Sequence, residues 1–362
     1  MLHMGLSRPS PLRVGLLGYG LAGRVFHAPL IAATEGLRLV AVVTTDPERR
    51  AQVLQDHPGT RLFDRSDDLI GSGDVDLVVV ATPNRSHVAM AMLAVQAGLP
   101  VVVDKPLAAT SADARGVVEE ARRQGVPLTV FQNRRWDGDL LTVRRLMDEG
   151  VLGTVLRFES RFERWRPVIR PRWREEAAPE EAGGTLYDLG AHLVDQAVQL
   201  FGPVDSVYAE IDLRRAGTAV DDDDFVALAH ASGTRSHLWM NALAAQFGPR
   251  MRVLGDRAGY TKYGLDGQEA ALHAGRRPGD DGWGEDPPAQ WGTVGTEGDL
   301  RDVRTEPGRY EAFYAGLVAA LQEDAPLPVD PAESVAVLEI LEAARRSATR
   351  RETVHVAPAN GY

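Results

Sequence analysis

Five short apolar runs punctuate the first third of the chain: RVGLLG (13–18), LRLVAVV (37–43), VDLVVVAT (75–82), PVVVDK (100–105) and PLTVFQ (127–132). They are apolar throughout instead of alternating, as strands of a parallel sheet covered on both faces must be. Amphipathic stretches near 22–34, 47–57, 86–97 and 111–124 separate them and supply the crossover helices. The pattern predicts a doubly wound α/β domain over 12–132, preceded by a loose tail over 1–11.

Beyond Asn133 the period changes. After a helix near 138–149, segments at 156–165, 204–213, 225–231 and 235–243 alternate with a period of two, as antiparallel strands with one wet face do. A helix at 186–201 interrupts them, 264–309 reads as long surface loops, and two helices near 308–323 and 331–348 close the chain. The second unit, 133–362, therefore combines helices with mainly antiparallel strands, an α+β domain.

Composition narrows the function more than the fold. A net charge of −11 argues against nucleic acid or an anionic membrane as the main partner. The absence of cysteine removes disulfides, thiolate zinc sites and cysteine nucleophiles. No apolar run approaches the roughly 20 residues needed to span a bilayer, and no address is visible, so cytoplasmic residence is the expectation. The acidic run Asp221–Asp224 reads as a solvated turn leading into a strand, and no metal site is expected.

Gly18-Tyr19-Gly20-Leu21-Ala22-Gly23 forms G-x-G-x-x-G between the first strand and the first helix. Gly18 permits the tight turn, Gly20 lets backbone approach a pyrophosphate, and Gly23 allows close helix–strand packing, the Rossmann fingerprint for a dinucleotide. Thr44-Thr45-Asp46 ends the second strand. Asp46 favours NAD by accepting from the ribose, whereas Thr45 with Arg49 or Arg50 can cradle the extra phosphate of NADP; the reading leans to NAD. Thr82, Pro83, Asn84 and His87 form the loop flanking the nicotinamide half, with Asp104 beside it.

Lys105 ends its strand in the same crevice, between an acid and a proline, where a desolvated lysine serves in proton transfer or polarises a carbonyl. Asp188 and His192 lie four apart on one helix face, a carboxylate beside an imidazole and hence a proton acceptor.

With GYGLAG, TPNRSH, DKP and DLGAHLVDQ in order, the chain resembles the Gfo/Idh/MocA oxidoreductases over nearly its whole length. That family mostly has Glu-Lys-Pro where this chain has Asp104-Lys105-Pro106. The resemblance implies a Rossmann domain joined to a substrate-binding and oligomerisation domain over 133–362 with an open, mainly antiparallel sheet. It also implies a tightly held NAD or NADP, homodimers or homotetramers, and Lys105, Asp188 and His192 as a catalytic trio with His192 the acid/base. More narrowly, FQNRRWDGDLLT, RFERWRPVIRPRWRE and KYGLDGQEAAL resemble the branch that oxidises scyllo-inositol, which places Asn133, Trp136, Tyr187 and several arginines of those stretches, none assigned a role, around the substrate. The expected activity is reversible hydride transfer between NAD(P) and a polyol or sugar hydroxyl. A redox-neutral NAD-dependent glycosidase and a non-catalytic dinucleotide-binding regulator are the competing readings.

Overall fold

The structure, a computed structural model, describes residues 11–169 and 181–356. The predicted tail over 1–11 therefore lies almost entirely outside the described residues, as do the arginines at 170, 172 and 174.

Six strands make the first sheet in the order β3-β2-β1-β4-β5-β6. They are β1 (Leu12–Leu17), β2 (Leu37–Val43), β3 (Arg61–Phe63), β4 (Leu77–Val80), β5 (Val101–Asp104) and β6 (Leu128–Phe131). All pairings are parallel, and β1, β4 and β5 are buried almost end to end, which is why their sequences carry no alternation. Strand order reverses between β1 and β4, so the crevice at their C-terminal ends is the ligand position for such a sheet. The chain enters its first helix through a π-helical turn, Ala22–His27, continued by Ala28–Ala33.

The second sheet has nine strands in the order β14-β13-β12-β11-β7-β10-β9-β8-β15. These are β7 (Val155–Glu163), β8 (Val204–Asp212), β9 (Asp223–His230), β10 (Arg235–Asn241), β11 (Met251–Gly255), β12 (Gly259–Lys262), β13 (Gly292–Thr296), β14 (Asp299–Val303) and β15 (Val354–His355). It is antiparallel apart from the β7–β10 pair. Along β9 and β10, Val226, Leu238 and Met240 face inward, while Phe225 and Trp239 face the other way.

Two expectations fail here. The supposed loops at 264–309 contain a helix, Gln268–His273, and the hairpin β13–β14 that extends the sheet. These edge strands are short and polar, with Gly292, Gly295 and Gly298, so they show none of the apolar alternation that marks a central strand. The acidic run is not a solvated turn: Asp221, Asp222 and Asp224 are 4%, 0% and 2% exposed. Each of these acids has a partner inside. Asp222 pairs with Arg215 at 2.8 Å, Asp221 accepts from Leu186 N at 2.8 Å, and Asp224 accepts from the Thr185 hydroxyl.

The C-terminal helix Pro331–Arg350 straps the two halves together. Its Glu342 accepts from Ser111 N and Oγ, and its Glu339 pairs with Arg115, both at the start of the crossover helix Ser111–Gln124.

Candidate active site

A cleft of about 700 Å³ runs along the C-terminal ends of β1, β4 and β5 and on between the two sheets. At its cofactor end, Gly18 adopts φ +96°. A Cβ there would lie 2.7 Å from Ala81 O, and one on Gly23 would lie 2.1 Å from Gly18 O, so both glycines are demanded by packing. Gly20 differs, because a Cβ on it would meet nothing nearer than the Arg49 guanidinium at 3.9 Å. The space it leaves faces the cleft above the helical turn that starts at Ala22, a cradle that a dinucleotide phosphate fits.

Gly18, Gly20, Leu21, Ala22, Thr82, Pro83, Asn84, Asp104 and Lys105 all line the cleft. Tyr19 turns away: its ring is buried and its hydroxyl donates to Asp56 at 3.3 Å. His87 is also behind the wall, with one ring nitrogen 2.7 Å from Pro106 O and the other 2.8 Å from Thr82 O. Burial lowers its pKa, and its contacts make it a brace between two loops. Thr44, Thr45 and Asp46 do not reach the cleft wall, but Arg49 does. Asp46 caps the helix Pro47–Asp56, accepting from Glu48 N at 2.9 Å and Arg49 N at 3.1 Å.

At the other end, β5 delivers Asp104 and Lys105, and the second half delivers Asp188 and His192. Asp188 sits in a π-helical turn, Leu186–Gly190, and His192 in the first turn of the α-helix Ala191–Phe201 that continues it. Lys105 Nζ donates to Asp188 O at 2.5 Å and to Asp188 Oδ1 at 3.1 Å. All three predicted catalytic side chains line the one cleft. Burial alone would raise the Asp104 carboxyl, but His27, His87 and Lys105 around it hold it below the usual range. His27 stands 3.9 Å from Asp104 and is tied by its other nitrogen to the Tyr314 hydroxyl at 2.7 Å.

The description "Oxidoreductase family, NAD-binding Rossmann fold" matches residues 12–132, and "Oxidoreductase family, C-terminal alpha/beta domain" matches 144–356. The chain belongs to the Gfo/Idh/MocA oxidoreductases. Among its relatives, the scyllo-inositol 2-dehydrogenase (NADP(+)) IolW of Bacillus subtilis is 35% identical over 98% of both chains. The oxidoreductase YdgJ of Escherichia coli is 41% identical over 96% of this chain and 99% of its own. A solved oxidoreductase structure, YvaA from Bacillus subtilis, superposes with a TM-score of 0.91 at 34% identity, covering 96% of this chain and 99% of that one. The protein is thus an NAD(P)-dependent dehydrogenase acting on CH–OH donors.

In this Gfo/Idh/MocA oxidoreductase the three residues expected around the substrate part company. Asn133 lines the cleft. Trp136 instead packs edge-on against Phe313, with ring centroids 5.9 Å apart. Tyr187 is buried beneath Arg345, whose guanidinium lies 4.8 Å from its ring centroid. The cleft wall also carries Arg134, Arg164, Arg166, Arg215, Asn241 and Glu269, which sequence reasoning did not single out. A charged residue in a loop carries no periodic signature, so only the fold reveals which of the chain's many arginines face inward.

The helix that carries His192 is anchored from below. Asp195, one turn beyond His192, holds the Arg135 guanidinium at 2.6 and 2.9 Å, and Arg135 also pairs with Glu333 at 2.6 Å. Desolvation works against the Arg135 charge, yet these two acids raise its pKa, while burial pushes the Asp195 carboxyl up against the pull of Arg135.

Proposed function

We propose that this enzyme oxidises a ring polyol, an inositol such as scyllo-inositol, and reduces the corresponding ketone. The observation that carries the reading is the Lys105–Asp188 bond: a lysine at the strand end, fixed by a carboxylate from the opposite half, in the cleft that begins at the glycine turn. The nicotinamide, when bound, supplies the hydride acceptor. The Lys105 ammonium holds the substrate oxygen and stabilises the negative charge that grows there as hydrogen leaves carbon. His192 takes the hydroxyl proton, and Asp188 keeps Lys105 from swinging away. The wall suits a neutral polyhydroxylated ring, because acids (Asp188, Glu269) and bases (Arg134, Arg164) intermingle, offering acceptors to hydroxyl protons and donors to hydroxyl oxygens. The name of IolW, a scyllo-inositol dehydrogenase, supports the same substrate class.

The cofactor reading moves from NAD towards NADP. Asp46 spends one oxygen on the backbone of Glu48 and Arg49, and its other oxygen lies 3.6 Å from the Arg49 guanidinium. Arg49 itself stands at the cleft beside Gly20, where it can meet a 2′-phosphate. IolW carries NADP(+) in its name. The test is absorbance at the reduced-nicotinamide band with either cofactor and a panel of inositols and sugars. A rise with an inositol sustains the reading; a flat trace across every polyol, with cofactor binding intact, sinks it. Arg49→Ala should cut kcat/KM with NADP at least tenfold and leave that with NAD within about threefold, since it removes a phosphate contact that NAD lacks.

A further inference from the structure

Two polar groups on the cleft wall have hydrogen-bonding capacity that no described residue uses. The Arg164 guanidinium makes no side-chain hydrogen bond among the described residues; its one ion pair is to Asp188 Oδ2 at 3.9 Å, beyond hydrogen-bond reach. Glu269, delivered by the short helix Gln268–His273, bonds Arg134 through Oε2, while its Oε1 accepts from nothing among the described residues. That side chain is 32% exposed, so the open oxygen meets the cleft instead of apolar core. Arg164 and Arg134 together hold the Glu269 carboxyl below its usual pKa despite its burial, and it stays an acceptor through the neutral range. The two groups are near neighbours, both close to Asp188, yet they come from β7's C-terminal extension and the short helix between β12 and β13.

We propose that Arg164 and Glu269 form a subsite that reads two adjacent hydroxyls of the polyol away from its reacting carbon. A vicinal diol can give each group its own hydroxyl, one donating its O–H to the carboxylate and its neighbour accepting from the guanidinium, whereas a lone alcohol must serve both from one oxygen and a ketone has no O–H to donate. The subsite rests on the polyol reading above and refines it. It makes the enzyme selective for substrates with a run of free hydroxyls.

The experiment uses the reductive direction, where the ketone fixes the reacting carbon. Initial rates are measured with scyllo-inosose and with its monodeoxy analogues lacking the hydroxyl α, β or γ to the carbonyl, for the wild type, Glu269→Gln and Arg164→Met. Each variant should raise KM roughly 10- to 100-fold, the worth of a hydrogen bond to a charged partner, with kcat changed less than about threefold. At least one deoxy analogue should cost the wild type a similar factor and cost the matching variant almost nothing more, because both changes delete the same contact. Losses that simply multiply for every analogue would overturn the subsite, whatever the melting temperatures show, since a purely structural residue yields no such coupling. A wild type inert towards every inosose removes the polyol reading itself, and the subsite with it.

Discussion

At the scale of single residues, the site is a set of charges each held by a neighbour from elsewhere in the chain. Lys105 leans on Asp188, Asp104 on His27, Arg135 on Asp195. Lys105→Met and His192→Ala should each lower kcat by about 10²–10⁴-fold, the usual worth of a positioned proton-transfer group. Binding of reduced cofactor, followed by fluorescence, should change little; a variant with near-normal kcat would remove its residue from the proposed trio. Buried acids give a second, independent prediction. Burial pushes Asp266 up to about 6, against the pull of hydrogen bonds from Gly138 N and Gln268 N. A carboxyl whose pKa is higher folded than unfolded adds stability below its unfolded value near 3.8, and that contribution is lost as pH rises through about 6. The wild type should therefore lose up to about 3 kcal/mol relative to Asp266→Asn between pH 4 and pH 7. The readout is the difference between their denaturant unfolding free energies at each pH; a difference that stays constant with pH would contradict it.

At the scale of elements, the entrance to the helix that carries His192 depends on the buried acidic run. Gly184 sits at φ +91°, and a Cβ on it would lie 2.3 Å from the Asp221 carboxylate that caps Leu186 N. Gly184→Ala should cost about 1–3 kcal/mol through backbone strain and displace Asp188, so the melting temperature and kcat should fall together while cofactor affinity stays. The nucleotide-binding half was legible in sequence almost strand by strand, because a buried parallel strand is written as an unbroken apolar run and its glycine turn as a fixed spacing. Lys105, Asp188 and His192 were legible as residues that share one cleft, each at a strand end or on a helix face. Glu269 and Arg164 were not, since a wall residue from a loop or a sheet edge is chosen by tertiary position alone. Asp221–Asp224 misled for a related reason: four acids in a row look wet until Arg215, Leu186 N and Thr185 are found waiting for them.

At the scale of the whole molecule, the nine-stranded sheet turns a row of half-buried side chains from β9 and β10 to the face opposite its core. On that face Trp239 lies opposite Phe225 on one side and Arg161 on the other, with ring centroids 5.1 Å apart and the guanidinium 3.9 Å from the indole. A flat aromatic and charged surface of this kind suits a second copy of the chain, and we expect a homodimer or a higher assembly built on it. Phe225→Glu with Trp239→Arg should shift the mass seen by light scattering to that of the monomer; an unchanged mass would place the interface elsewhere. Among the described residues no helix is long and apolar enough to cross a membrane. The bond between Lys105 and Asp188 has one more meaning at this scale, because its partners sit 83 residues apart in separate halves. Neither half owns a complete site. Chemistry in this enzyme is therefore a report on assembly: two fragments parted in the stretch between the sheets and then mixed would regain turnover only as far as they regain their mutual seating, so catalysis itself becomes the gauge of that fit.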